Sequence, residues 1–390
     1  MKTIKIYILT ITAMLFIVSC IERYDLGKVT NFEAKLVIDA QLTTDDGIQE
    51  IVISKSSSTE KPSLNPLTGC KVFVEDNKGN KFQFTESSNK GHYFGLLEGA
   101  AIVVGNNYRL NVQTPDKLTF VSNYETLMPC PDVSSVYYSV EPKPTTDPQV
   151  TINGLQFYID FKADNNYGRF YRWQLVQTYE YHSTWPLTRW LDWDGAHEMK
   201  KTDYSNFVCY KTENLDDIFV LSTDGFSQNA YTKYKLHYVP DQTQVLQHKY
   251  SLLVRQISLT ESAYNYWENL RKNNQEDVNL FGRQPANVKG NVYNSNEPTE
   301  FALGYFSIST VRTKRIMVHP IDNPKLLFNN VYRCHALKIE GPIPEDERPF
   351  YFAKDIDGNG VEYVGQAGAE CIFCMMLGGT TVKPVFWDEK

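Results

Sequence analysis

The sequence predicts a mainly β protein: an N-terminal Ig-like or transthyretin-like β-sandwich followed by a larger β-rich domain with one conspicuous helix. Three observations carry that prediction. Apolar and polar residues alternate in short runs between Leu36 and His319, the period-two pattern of half-buried strands. Turn-forming residues separate the runs, most clearly Asn77-Lys78-Gly79-Asn80 between Val72-Phe73-Val74 and Phe82-Gln83-Phe84, where Asn and Gly tolerate the positive φ of a tight hairpin. Helical spacing shows in one segment, around Ala263, Trp267 and Leu270; with no repeat of about 20–50 residues, a propeller or solenoid is disfavoured. The 390 residues are 42% hydrophobic and 22% charged, which is ample for a core and inconsistent with general disorder. The net charge of −7 argues against a nucleic-acid partner, which would need clustered Lys and Arg.

At the N-terminus, Lys2 and Lys5 precede an uncharged run, Ile6 to Val18, of 13 residues. This is the shape of a signal peptide, and it is too short for a spanning helix, which needs about 20 apolar residues. Ile17-Val18-Ser19-Cys20 has the form of a lipobox, the site at which bacterial processing lipidates a cysteine and cleaves before it. Residues 1–19 are therefore expected to be a lipoprotein signal peptide, Cys20 the lipidated residue, and 20–32 a tether. Cleavage would remove two lysines and no acids, leaving a more acidic body. Acyl chains on Cys20, and not a surface repelled by anionic headgroups, would then hold the protein at the membrane.

Residues 33–128 read as the sandwich. Leu36-Val37-Ile38 leads through Asp45-Asp46-Gly47 to Ile51-Val52-Ile53, the Asn77–Asn80 hairpin follows, and Tyr108, Leu110 and Val112 alternate with polar residues. Pro129, Pro131, Pro142, Pro144 and Pro148 crowd the next stretch, so 129–150 reads as an extended linker. The remaining 151–390 form the β-rich C-terminal domain, with strands expected at 155–161, 169–181, 231–239, 250–257, 288–293, 300–309 and 315–319. Ser258-Leu-Thr-Glu261 resembles a capping box at the start of the helix, whose Tyr264, Tyr266 and Trp267 are expected to pack onto a sheet.

Chemistry is sparsely signalled. GxSxG, HExxH, P-loop and GxGxxG motifs do not occur. After Cys20, the six cysteines Cys70, Cys130, Cys209, Cys334, Cys371 and Cys374 are candidates for structural disulfides in an oxidising compartment. Cys371-Ile-Phe-Cys374 has redox spacing but not the strand-to-helix setting such chemistry uses, and a zinc site would have to recruit Cys334 or His335. Trp185, Trp190 and Trp193, with Tyr179 and Tyr181, form the densest aromatic cluster. They read either as core or as rings that stack on a sugar or fill a partner's pocket. Asp192 and Asp194 are the nearest pair of carboxylates for glycoside hydrolysis, with a solvated loop as the simpler reading. Asp355-Ile-Asp357-Gly-Asn359-Gly360 spaces oxygens like a calcium loop, but Gln366 stands where the closing acid should be; a hairpin turn explains it better. No metal or cofactor is expected.

Cys20, the strand Leu36-Val-Ile-Asp-Ala-Gln-Leu42, the segment Val254 to Trp267, the run Ala302-Leu-Gly-Tyr-Phe-Ser307 and the tail from Cys371 to Trp387 together resemble a bacterial lipoprotein family catalogued as domain of unknown function 4249. The resemblance implies an outer-membrane lipoprotein, often associated with a TonB-dependent barrel transporter, and supplies no catalytic residues. The expected function is thus a non-enzymatic, lipid-anchored accessory or ligand-capturing partner of such a transporter. The alternative is a structural or adhesive envelope protein, and a surface glycoside hydrolase is a third, weaker reading.

Overall fold

A computed structural model describes residues 34–44, 47–57, 63–98, 102–147, 149–276, 288–328 and 334–388. The leader, Cys20, the tether, and Asp45, Asp46 and Pro148 lie outside them. The protein is mainly β, with four sheets among the described residues. Chain order begins with β1 (Leu36–Thr43), β2 (Ile48–Lys55), β3 (Asn65–Pro66), β4 (Lys71–Asp76), β5 (Lys81–Glu86), β6 (His92–Leu96), β7 (Asn107–Gln113), β8 (Thr119–Ser122) and β9 (Glu125–Thr126). The alternation seen in the sequence is the alternation of burial: Ile38, Ala40 and Leu42, Val72 and Val74, and Tyr108, Leu110 and Val112 all point into one core. At the β4–β5 hairpin, Gly79 takes φ +93° and Asp76 Oδ1 accepts from the Lys78 and Asn80 amides.

The middle of the chain forms β10 (Ser135–Pro144), β11 (Thr151–Lys162), β12 (Phe170–His182), β13 (Leu187–Asp192), β14 (Gly195–Asp203), β15 (Val208–Ser222), β16 (Ala230–Pro240) and β17 (Tyr250–Leu259), then helix α1 (Glu261–Glu276). After α1 come β18 (Val292–Asn294), β19 (Leu303–Ser309), β20 (Val311–Val318), β21 (Leu337–Lys338), β22 (Phe350–Ile356), β23 (Glu362–Ala367) and the four-residue α2 (Ala369–Ile372). The second sheet runs β10-β11-β16 and the third β15-β12-β17-β20. Leu155, Phe157, Ile159 and Phe161 of β11 meet Tyr171, Trp173, Leu252 and Val254 of the third sheet in a second core. The fourth sheet, β14-β13-β22-β23-β21, covers a small core of Ala336, Ala353, Ala367 and Ile372.

Three expectations need correction. Residues 135–144 are not linker: β10 pairs with β11 through ten registered residues. The prolines are tolerated because β10 is an edge strand, and Pro142 and Pro144, two apart, can both turn their missing donor away from the ladder. Second, the N-terminal sheet does not close within 33–128. β18 joins it beside β8, and β19 lies parallel to β1 from Val37↔Leu303 to Thr43↔Ser309, giving the order β18-β8-β7-β4-β5-β6-β2-β1-β19. Val292, Phe306 and Ile308 fill the same core as Ile38. Third, α1 is capped by Thr260, whose Oγ1 accepts from the Ala263 amide at 3.2 Å, because Ser258 is still held in β17, opposite Tyr171.

The β1–β19 contact depends on Gly304. Its φ is +95°, and a Cβ there would sit 1.9 Å from the Ile38 carbonyl oxygen. Gly304→Ala is therefore expected to cost at least about 2 kcal/mol, combining a forbidden backbone conformation with overpacking. Chemical denaturation would register the loss. A variant as stable as the parent would mean that β19 does not approach β1 this closely.

Candidate functional site

Period-two alternation leaves polar side chains between the first and third sheets. On β1, Ile38, Ala40 and Leu42 enter the first core, so Asp39 and Gln41 point away from it. On β12, Tyr171, Trp173 and Leu175 enter the second core, so Arg172 and Gln174 point away as well. Where these faces approach α1 they line a cleft of about 610 Å³, together with Glu50, Asn214, Asp216, Asp217, Arg255 and Trp267.

Arg172 is the centre of the cleft's chemistry. Its guanidinium lies 3.4 Å from the centre of the Trp267 ring and donates through Nη1 to Gln41. The Arg172 Nε and Trp267 Nε1 groups are buried without a hydrogen-bond partner among the described residues. Burial pushes the Arg172 pKa down to about 10, against the opposing pull of Asp39, and the group remains charged at neutral pH. Two buried donors lacking acceptors are costly, each by about 1–3 kcal/mol, and such groups in a folded protein call for an explanation. Both residues line the cleft. The sequence did not single out Arg172 or Gln41, each an ordinary outward-facing position on its own strand, and it marked Trp267 only as a helix residue expected to pack onto a sheet.

The aromatic cluster does not form one surface. Tyr179 and Tyr181 belong to the second core, and Trp185 packs against the small core of the fourth sheet. Trp190 stacks on His197 with ring centres 4.8 Å apart. Trp193 alone of the three tryptophans is open, 69% exposed at the β13–β14 turn. Asp192 organises that turn: it accepts from Trp190 Nε1 at 3.1 Å and from the Asp194 amide at 3.0 Å, and lies 2.9 Å from His197 Nε2. The His197 contact first, then these bonds, hold its carboxyl below the usual range. A glycosidase's general acid needs the opposite shift, so Asp192 does not fit that role, and Asp194 is exposed.

Disulfides join Cys209 to Cys374 and Cys334 to Cys371. The two cysteines of the CxxC thus bond to different partners, and Cys334 is not available to a zinc site. Cys70 and Cys130 are free, so four of the six candidate cysteines are bridged. Cys70 packs at the first core, whereas Cys130 is buried with its Sγ 3.2 Å from the Gln256 carbonyl oxygen. The calcium-like segment is the β22–β23 turn. Asp357 Oδ1 accepts from the Asn359 and Val361 amides, and buried Asp355 accepts from the Ala336 amide at 3.0 Å.

No curated protein matches the chain. Among solved structures, a DUF4785 family protein from Legionella pneumophila is 12% identical, over 57% of this chain and 52% of that one, with a TM-score of 0.17. The chain thus spans about half the length of that structure. The family described as Domain of unknown function (DUF4249) matches residues 21–315, so the tail from Cys371 to Trp387 lies beyond the matched region. Strands β18 and β19, the cleft and α1 lie within it, and the chain belongs to the DUF4249 family.

Proposed function

We propose that the protein is a non-enzymatic lipoprotein, anchored to the outer membrane through Cys20, which captures a polar ligand and serves a TonB-dependent barrel transporter. The observation that carries the capture reading is the pair of buried donors without acceptors, Arg172 Nε and Trp267 Nε1, beside a cleft of about 610 Å³, a size suited to a small ligand. Arg172 and Arg255 line the cleft together with Asp39, Glu50, Asp216 and Asp217. That mixture favours a ligand with both donors and acceptors over a simple anion. The family resemblance supports the transporter partner.

The test is gentle detergent extraction of tagged protein from its native membrane, with mass spectrometry of what co-purifies. A barrel transporter in stoichiometric amount is the expected result, and Cys20→Ala should leave the protein unlipidated in the soluble fraction. Recovery of the lipoprotein alone would overturn the accessory reading. Adhesion is the second reading, favoured by the exposed Trp193. Exposed rings make strong contacts at little entropic cost, so Trp193→Ala should leave stability within about 0.5 kcal/mol of the parent while lowering recovery of whatever partner uses that turn.

A further inference from the structure

Strand β12 continues about 30 Å beyond Arg172, at roughly 3.3 Å per residue, and its far end carries a second group of polar side chains. Glu180 and His182 are two residues apart and share the face opposite the buried Tyr179 and Tyr181. The Glu180 amide donates to the Lys249 carbonyl at 3.0 Å, which extends the β12–β17 ladder and draws His248 alongside. The two imidazoles stack with centres 3.6 Å apart and planes at 24°. His182 Nε2 lies 2.9 Å from Glu180 Oε1, and no hydrogen bond among the described residues involves the His248 ring. One donor atom from each of Glu180, His182 and His248 lies within 4.8 Å of the others.

We propose that Glu180, His182 and His248 form a binding site for a single divalent transition-metal ion of the zinc type. Two imidazoles and one carboxylate are a donor set that zinc uses with a further position open to water or ligand. Imidazole nitrogens disfavour magnesium and calcium, which take oxygen ligands. Ligands about 2.0–2.2 Å from one ion stand closer together than the present spread, and an imidazole binds in its ring plane, so the two stacked rings must tilt apart for their nitrogens to converge on the ion. An outer shell is already built. Trp387 Nε1 donates to Glu180 Oε2 at 3.1 Å, leaving Oε1 to face the imidazoles, and Lys249 Nζ donates to the Trp387 carbonyl. Partners of this kind orient first ligands and raise metal affinity. The sequence carried no sign of the site, because His248 lies far from the other two along the chain.

The experiment uses purified full-length protein stripped with a chelator. Zn²⁺ is titrated by calorimetry, and Co²⁺ by visible absorption, which reports coordination directly. One equivalent of each metal should bind, with Co²⁺ giving the intense bands of a four- or five-coordinate ion. His248→Ala should abolish saturable binding. Glu180→Gln, which keeps the shape and the acceptor for Trp387, should weaken it while leaving the fold intact, and Trp387→Phe should weaken it roughly 10- to 100-fold. His197→Ala, at an imidazole–carboxylate pair elsewhere, should bind as the parent does. Absence of stoichiometric binding by the parent, or an unchanged isotherm for His248→Ala or Glu180→Gln, would overturn the assignment and leave the three residues as a stacked, hydrogen-bonded cluster.

Discussion

Removing the Cys209–Cys374 bridge is expected to lower stability by about 3–5 kcal/mol, the range for a cross-link that closes a long loop. The bonded residues are 165 apart in sequence, whereas Cys334 and Cys371 are 37 apart. Loop-closure entropy alone then makes the longer bridge more stabilising by about 1 kcal/mol. The bridge also fixes the C-terminal tail against the third sheet. Tyr181 donates to the Cys374 carbonyl at 2.8 Å, the Cys374 amide donates to the Asn206 carbonyl, and Tyr210 and Thr380 exchange two backbone hydrogen bonds. The double variant Cys209→Ala, Cys374→Ala avoids an unpaired thiol in the core and isolates the cross-link. Urea unfolding of this variant beside Cys334→Ala, Cys371→Ala should rank the longer bridge first. A loss under about 1 kcal/mol for the longer bridge would contradict the chain-entropy account. Alkylation under denaturing, non-reducing conditions should label Cys70 and Cys130 and none of the four bridged residues.

The strands that were legible in the sequence are those whose inward residues are apolar on a local period of two. Ile38, Ala40 and Leu42 announce β1, and Leu155, Phe157, Ile159 and Phe161 announce β11. The hairpin at Asn77–Asn80 was legible because Asp76, Asn80 and Gly79 determine it among themselves. Strand β15 was not, since its Thr-Glu-Asn-Leu-Asp-Asp stretch lies at a sheet edge and the strand as a whole is held by twelve registered pairs with β12, which are contacts remote in sequence. The parallel contact of β1 with β19 is equally remote; Gly304 was visible, but not the carbonyl it must clear. The sites follow the same division. Aromatic density marked Trp185, Trp190 and Trp193, yet density does not say which face of a strand each ring takes, and only Trp193 stayed open. Arg172 and Gln41 acquire meaning only when two sheets bring their outward faces together, and His182 and His248 only when β12 and β17 pair.

Glu125→Ala is expected to destabilise the protein by about 3–5 kcal/mol, because several buried donors lose a shared acceptor and each unsatisfied donor costs about 1–3 kcal/mol before relaxation. Glu125 is 3% exposed and accepts from Thr260 Oγ1 at 2.5 Å, Ser262 Oγ at 3.2 Å, Asn291 Nδ2 at 3.1 Å and the Tyr305 hydroxyl at 2.6 Å. One carboxylate thus ties β9 to the cap of α1 and to β19, whose Phe306 amide donates to the same Asn291. Burial raises its pKa above the ordinary value, outweighing those four hydrogen bonds. A raised carboxyl pKa means that the folded protein keeps a proton where the unfolded chain has lost it. The stability from this group is therefore complete below the unfolded pKa, near 4.5, and falls as pH rises through the folded one. Glu125→Gln removes that dependence. Its amide oxygen at the Oε1 position keeps the bonds from Ser262, Asn291 and Tyr305, and the Thr260 hydroxyl turns to accept from its NH₂. Measured by urea unfolding at several pH values, the glutamine variant should gain on the parent steadily as pH rises above about 4.5, while the alanine variant stays well below both. A stability difference between glutamine variant and parent that is flat across that range would mean Glu125 titrates alike in the folded and unfolded chain, and that its hydrogen bonds fully offset burial.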